Sequence, residues 1–211
     1  MQKQADKEKR NNIDFVIKAQ IHAGGRGKGH FPKSGLQGGV HIAHSPREAA
    51  HLAEKMIGYN LVTKQTPKEG IPCSSVYVVE RLFIRREMYL GFLLDRSSGN
   101  IIAIASSKGG MSIEDMPSDI LMKKEIRLDV GMTYDVAKEI TNHLEIEEDN
   151  QEICENMIIG LYDFFIKHDA TMIEINPLGL TIDHKLLICD SKMKVDPSAN
   201  FRQKELFENE D

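Results

Sequence analysis

Seven of the 16 glycines in this chain fall between Gly24 and Gly39, directly after the alternating run Phe15–Ile21, and that crowding constrains the fold more than any other feature. Glycine at such density marks backbone that passes close to something or adopts conformations other residues avoid. Phe15, Ile17, Ala19 and Ile21 share one face of the alternation and Val16, Lys18 and Gln20 the other, which predicts a strand feeding a glycine-rich loop. The segment Gly24-Gly25-Arg26-Gly27-Lys28-Gly29 is not a P-loop, because His22 stands where glycine is required and Gly29 where Ser or Thr is required. Nor is it a dinucleotide fingerprint, since His30 occupies the third glycine position. What it offers is a series of N–H groups that can nest phosphate oxygens, with Lys18, Arg26 and Lys28 adding charge. A flexible surface turn is the alternative reading.

Past the loop, Gly39–Ala43 predicts a short strand and Ser45-Pro46-Arg47-Glu48 a helix start, with Ser45 as cap, Pro46 at the first position and Glu48 closing a capping box. Ala49, Leu52, Ala53, Met56 and Ile57 form its apolar face, and Gly58 ends it. A strand over Tyr59–Gln65 and a connection over Thr66–Pro72 complete a first lobe with its boundary near residue 75. The second lobe carries strands Ser75–Glu80, Met88–Asp95 and Ile101–Ser106, the last two joined by a turn at Arg96–Asn100 and hence antiparallel. Helices follow over Thr133–Leu144 and Asn150–His168, the latter with Ile153, Met157, Leu161 and Phe165 facing the core. The expected organisation is α+β: a disordered terminus over residues 1–10, a small lobe over 11–75, a larger lobe over 76–205 and a tail over 206–211.

Composition narrows the function classes. With 27 basic and 32 acidic residues the net charge is −5, so no global basic field holds nucleic acid, and the absence of Trp disfavours a base-stacking surface. No apolar run approaches the roughly 18 residues that span a bilayer, and the N-terminus has no apolar signal region, so no membrane partner is expected. Cys73, Cys154 and Cys189 lack C-x-x-C spacing and read as structural thiols, while the eight histidines form no zinc-binding array.

A second constellation is acidic. Glu174 and Asn176 lie two apart in Met172–Pro177, so their oxygens point the same way, and a hairpin centred on Asp183 sets Asn176 opposite Asp190. Oxygen ligands from facing strands, with Lys192 close by, suit Mg²⁺, which takes one or two protein oxygens and fills its other sites with phosphate and water. The alternative is that Asn176-Pro177 simply ends a strand. A cationic glycine loop and a divalent-metal pair in one acidic chain are the two halves of a nucleotide phosphoryl-transfer site. Glu80 and Glu87, flanking Arg81 and Arg85-Arg86, are further candidates for contacts to the sugar or base.

The stretch Lys18-Ala-Gln-Ile-His-Ala-Gly-Gly-Arg-Gly-Lys28, with Gly38-Gly-Val40, Thr63-Lys-Gln65, Arg86-Glu87, Gly109-Gly110, Glu174-Ile-Asn-Pro177 and Phe201-Arg-Gln-Lys204, resembles the β subunits of succinyl-CoA synthetases over nearly the whole chain. The resemblance implies an ATP-grasp fold in which two α+β lobes close on ATP or GTP. It implies the reaction succinate + CoA + nucleoside triphosphate ⇌ succinyl-CoA + diphosphate + phosphate, through a phosphohistidine on a separate α subunit. By position, Lys18 and Gly25-Arg26-Gly27 correspond to phosphate binding, Glu80 and Glu87 to the nucleoside, Asn176 and Asp190 to Mg²⁺, and Glu174 to orienting the phosphohistidine. Family members begin earlier and continue past Phe201-Arg-Gln-Lys204 into a further ligase domain, which implies a truncated portion, inactive alone. The implied location is the mitochondrial matrix. Another acyl-CoA ligase of this grasp, such as a malate-CoA ligase or a citrate-cleaving enzyme, and a non-catalytic form binding nucleotide or α subunit are the competing readings.

Overall fold

A computed structural model of the chain describes residues 13–111 and 113–208. The expected disorder over residues 1–10 lies outside these, as do the last three residues of the tail. The chain divides into two compact units, Met1–Leu82 and Phe83–Asp211.

The first unit centres on β1 (Phe15–Gln20), flanked by β2 (Val40–Ala43) and, further along, β5 (Ser75–Glu80), both antiparallel to it. Helix α1 (Pro46–Met56) follows β2, and a two-residue pair, β3 (Asn60–Leu61) with β4 (Ile71–Pro72), precedes β5. The alternation in β1 is real: Ile17 and Ala19 are wholly buried with Phe31, Ala43, Ala49, Met56, Leu61 and Cys73. The helix start is built largely as expected, with Ser45 Oγ accepting from Glu48 N at 3.2 Å. Glu48 Oε2 reaches back to His44 N at 2.8 Å, one residue before the cap. Two expectations are corrected. Ser75–Glu80 pairs with β1 from Gln20 to Phe15, so it belongs to the first unit and the division comes after Leu82, not near 75. The strand expected over Tyr59–Gln65 is only β3, because Ile71–Pro72 returns to pair with it inside the segment expected to be a connection.

The second unit is built on β6 (Ile84–Leu94), β7 (Ile101–Ser106) and β8 (Met122–Ile126), then α2 (Tyr134–His143), α3 (Glu148–Lys167), β9 (Ala170–Thr181), β10 (Leu186–Ile188), β11 (Ser191–Val195) and the single turn α4 (Lys204–Phe207). The strand order is β10-β9-β6-β7-β8 with β11 also on β9, all antiparallel, which gives the expected α+β character. Phe92 makes edge contacts with Tyr162 and Phe165, each with ring centroids 6.3 Å apart, so α3 lies on the face carrying Leu90 and Phe92. The buried side of α3 is Cys154, Ile158, Tyr162 and Phe165, whereas Ile153, expected inside, is 57% exposed. The helix is apolar on most of its circumference, so periodicity left its phase ambiguous by one residue. The tail begins with α4, so residues 206 and 207 are helical rather than frayed.

Candidate functional site

In the first unit the glycine loop leaves β1 and folds back on itself. Gly25 has φ +72°, a conformation that favours glycine, and a 3-10 turn spans Arg26–Lys28. Several glycines answer to the chain's own backbone: a Cβ on Gly29 would stand 2.6 Å from Val62 O, and one on Gly39 2.7 Å from Leu61 Cδ2. Gly27 differs, with nothing within 4 Å of the position a Cβ would take. The amides are partly committed. Gly24 N donates to Gln65 Oε1 at 2.8 Å, Lys28 N to Gly25 O at 3.0 Å and Gly29 N to Arg26 O at 3.1 Å. The expected run of phosphate-ready amides is thereby narrowed to Gly25–Gly27. Arg26 is also tied down, its Nη1 donating to Ala19 O at 3.0 Å. Lys18 stands on the sheet face away from the core, across from Val40 on one side and Tyr77 on the other. Those neighbours are 38% and 55% exposed, so the lysine sits amid an open apolar sheet face.

At the base of this unit Asp14 bridges His44 Nδ1 at 2.8 Å and Arg81 Nη1 at 3.0 Å, joining the ends of three strands. The His44 hydrogen bond is the main reason the Asp14 carboxyl falls below its ordinary value, and the same bond raises the His44 imidazole.

In the second unit the hairpin register is the one expected from sequence. Leu186 pairs with Leu180 and Ile188 with Leu178, Asn176 N donates to Asp190 O at 3.1 Å, and the same register continues as Lys192 against Glu174. The turn is secured locally: hydrogen bonds from Lys185 and Thr181 hold the Asp183 carboxyl down at about 2. It is also tied to the start of α3, where Glu147 takes His184 Nδ1 at 2.9 Å and pairs with Arg85. Glu174 and Asn176 do share a side, with Asn176 Nδ2 lying 3.5 Å from Glu174 Oε1 and Lys192 Nζ 3.6 Å from Glu174 Oε2.

A feature the sequence did not disclose is what Asn176 holds. Its Oδ1 accepts from Gly110 N at 2.9 Å and its Nδ2 donates to Met111 O at 2.8 Å, which clasps the loop after β7 to β9. The glycine pair makes that approach possible. A Cβ on Gly109 would lie 2.3 Å from Met88 O, and one on Gly110 1.9 Å from Glu87 Oε2. Glu87 thus lies against this loop, and its backbone carbonyl accepts from Gly109 N at 2.7 Å. Glu80 ends β5 across from Phe15, so the two glutamates belong to different units. Arg86 is spent structurally, donating to Leu144 O and Glu145 O at the end of α2.

Among the described residues no group of three or more His, Cys, Asp or Glu is placed to hold a metal, and no helix is long and apolar enough to cross a membrane. Asn176 and Asp190 offer a sparser oxygen set, of the size Mg²⁺ accepts alongside phosphate and water. An amide oxygen has two lone pairs, so the Gly110 bond leaves Asn176 Oδ1 one to offer.

Comparison with known proteins accounts for this arrangement. The chain is 46% identical over 201 residues to the mitochondrial succinate–CoA ligase [ADP-forming] subunit beta of Neurospora crassa, covering 94% of this chain and 45% of that protein. It is 42% identical over 204 residues to the GDP-forming counterpart of Sus scrofa, covering 95% and 47%, and 40% identical over 203 residues to that of Dictyostelium discoideum, covering 95% and 48%. The chain therefore spans a little under half the length of these curated relatives. Among solved structures, ATP citrate lyase from Methanothrix soehngenii, in complex with citrate and coenzyme A, matches 92% of this chain and 42% of its own with a TM-score of 0.65. At 17% identity that likeness speaks for the fold alone. The ATP-grasp domain matches residues 2–180, a span that takes in both the glycine loop and the Glu174–Asn176 strand, and the chain belongs to the ATP-grasp domain family.

Proposed function

We propose that this chain is the nucleotide-binding part of a succinate–CoA ligase β subunit. It takes ATP or GTP with Mg²⁺ for the reaction succinate + CoA + nucleoside triphosphate ⇌ succinyl-CoA + nucleoside diphosphate + phosphate, carried through a phosphohistidine on an α-subunit partner in the mitochondrial matrix. The observation that carries the reading is the ribbon register, which sets Asn176 alongside Asp190 with Glu174 and Lys192 one pair further along. It is supported by relatives named as ADP- and GDP-forming ligases at 40–46% identity.

In this reading Lys18 and the Gly25-Arg26-Gly27 backbone hold phosphate oxygens, and Glu80 and Glu87 contact the nucleoside. The open space at Gly27 gives a phosphate group room to approach the backbone. Asn176 Oδ1 and the Asp190 carboxylate hold Mg²⁺, which when bound neutralises charge on the phosphate oxygens. Glu174, with Lys192 on its other oxygen, orients the phosphohistidine. The chain's contribution to rate is then positioning and charge compensation, without a covalent step on its own side chains.

Calorimetric titration with ATP and with GTP, each with Mg²⁺, tests the proposal. Saturable binding to the wild-type chain, weakened about tenfold or more by Lys18→Ala and by Asp190→Ala, is the expected result. No binding of either nucleotide, or binding that both substitutions leave intact, contradicts it. Adding an α subunit and succinate, CoA and nucleotide then asks whether turnover follows.

A further inference from the structure

Tyr89 lies on the strand face that carries Glu174, and it is almost wholly buried, with 5% of its surface exposed. Its phenol folds along β6 over Gly91: a Cβ on Gly91 would stand 3.1 Å from the Tyr89 hydroxyl and 3.4 Å from Cε1. Gly91 is paired directly with Glu174 on one side and with Ile104 on the other. Continuing the register outward, Glu174 faces Lys192 and Ile104 faces Lys123. Directly opposed residues of antiparallel strands point to the same side, so Lys192, Glu174, Gly91, Ile104 and Lys123 form one row across the sheet. The middle of that row has no side chain of its own. The Tyr89 hydroxyl occupies the space instead.

This hydroxyl makes no hydrogen bond to any of the described residues. A buried phenol ordinarily finds a partner, since leaving a polar group without one costs about 1–3 kcal/mol. A neutral donor left open at the centre of a row with an ammonium at each end is arranged to meet an acceptor that arrives from outside. At about 4.8 Å per strand, each lysine originates some 10 Å from the centre, a distance that a side chain of four methylenes largely spans.

Resting on the proposed nucleotide-binding reading and deepening it, we propose that Tyr89 is a further ligand-binding residue, its phenolic O–H donating to a phosphoryl oxygen held above Gly91, with Lys123 and Lys192 converging on the same anion. Burial is the main factor raising the phenol above its ordinary value, and the negative charges of Glu174 and Glu114 add to it. The group therefore stays protonated, and a donor, throughout the neutral range. Gly91 is glycine because any side chain there would displace the hydroxyl.

The test is Tyr89→Phe, which keeps the ring and removes only an oxygen that makes no native hydrogen bond. The melting temperature of the ligand-free chain is expected to hold or rise. Affinity for Mg²⁺–ATP and for Mg²⁺–tripolyphosphate is expected to fall by a similar factor, about tenfold, because the contact is to phosphate and not to the nucleoside. The wild-type chain should also show a tyrosine ultraviolet difference spectrum on adding Mg²⁺–tripolyphosphate that Tyr89→Phe lacks. If the wild type binds and Tyr89→Phe binds equally well, the assignment of Tyr89 is overturned while the nucleotide reading stands. If the wild type binds neither ligand, both fall. A lowered melting temperature with unchanged affinity assigns Tyr89 to packing alone and likewise overturns the proposal.

Discussion

The glycine loop of the first unit and the β9–β10–β11 ribbon of the second both bear candidate ligands, but they are built on opposite principles. In the loop the side chains are mostly absent and the backbone is the working surface. Gly29 and Gly39 are small so that the chain can pack against Val62 and Leu61, and Gly27 alone faces open space. In the ribbon the backbone is committed to pairing and the side chains do the work, because one register brings Glu174 to Lys192 and Asn176 to Asp190. Glycine content therefore identifies a region without assigning roles within it, whereas period-two pairing assigns a role to each residue.

That contrast predicts the largest effect at the loop. Gly29→Ala forces a Cβ against a carbonyl that cannot move aside and should destabilise the first unit by about 3 kcal/mol, while Gly27→Ala should leave the melting temperature unchanged. Equal effects at the two positions would erase the distinction between packing glycine and open glycine. Next comes Asn176→Asp in the ribbon. It keeps an oxygen toward Gly110 but removes the donor to Met111 O and sets a second carboxylate beside Glu174, at a cost of about 2 kcal/mol. Faster hydrogen exchange at the Gly110 amide, read by NMR, is the specific sign.

A smaller effect is pH-dependent and confined to the first unit. His44 is raised above 6.5, so its contribution is present below that value and lost as pH rises through the raised one. Asp14 is lowered below 3.8, so its contribution is present above that value and lost as pH falls through the lowered one. The clasp with Arg81 is thus fully formed between about pH 4 and 6.5. Asp14→Asn should bring the His44 titration midpoint, followed by NMR, back toward 6.5. An unmoved midpoint would assign the shift to Glu48 instead. Smallest is thiol reactivity: Cys73 and Cys154 are wholly buried, and burial pushes Cys154 up to about 11, so Cys189 in the ribbon should be labelled first in the native chain. Earlier labelling of either core cysteine would show the units opening more readily than the ribbon.

The legibility of the sequence followed the same division. The hairpin register, the Ser45 cap and the buried face of β1 were all readable, because alternation and capping chemistry act over a few residues. The unit boundary was missed because Ser75–Glu80 looks like any other strand until its partner, Phe15–Gln20, is known. The face of α3 was misphased because Cys154 and Tyr162 compete with Ile153 and Leu161 for the interior, and only the sheet decides between them. Gln65 holding Gly24, Asn176 clasping Gly110 and Tyr89 lying over Gly91 join residues 41, 66 and 2 positions apart, respectively. The first two carry no local signal. The third is hidden in an ordinary hydrophobic strand.

The central claim is that the loop supplies cations to the phosphates and the ribbon supplies the metal ligands. The most direct measurement is nucleotide affinity with and without Mg²⁺, for the wild type, Lys18→Ala, Asp190→Ala and the double variant. Lys18→Ala should weaken binding under both conditions, and Asp190→Ala should abolish only the gain that Mg²⁺ confers. A Mg²⁺ gain that survives Asp190→Ala, or nucleotide binding indifferent to Lys18, would contradict the account.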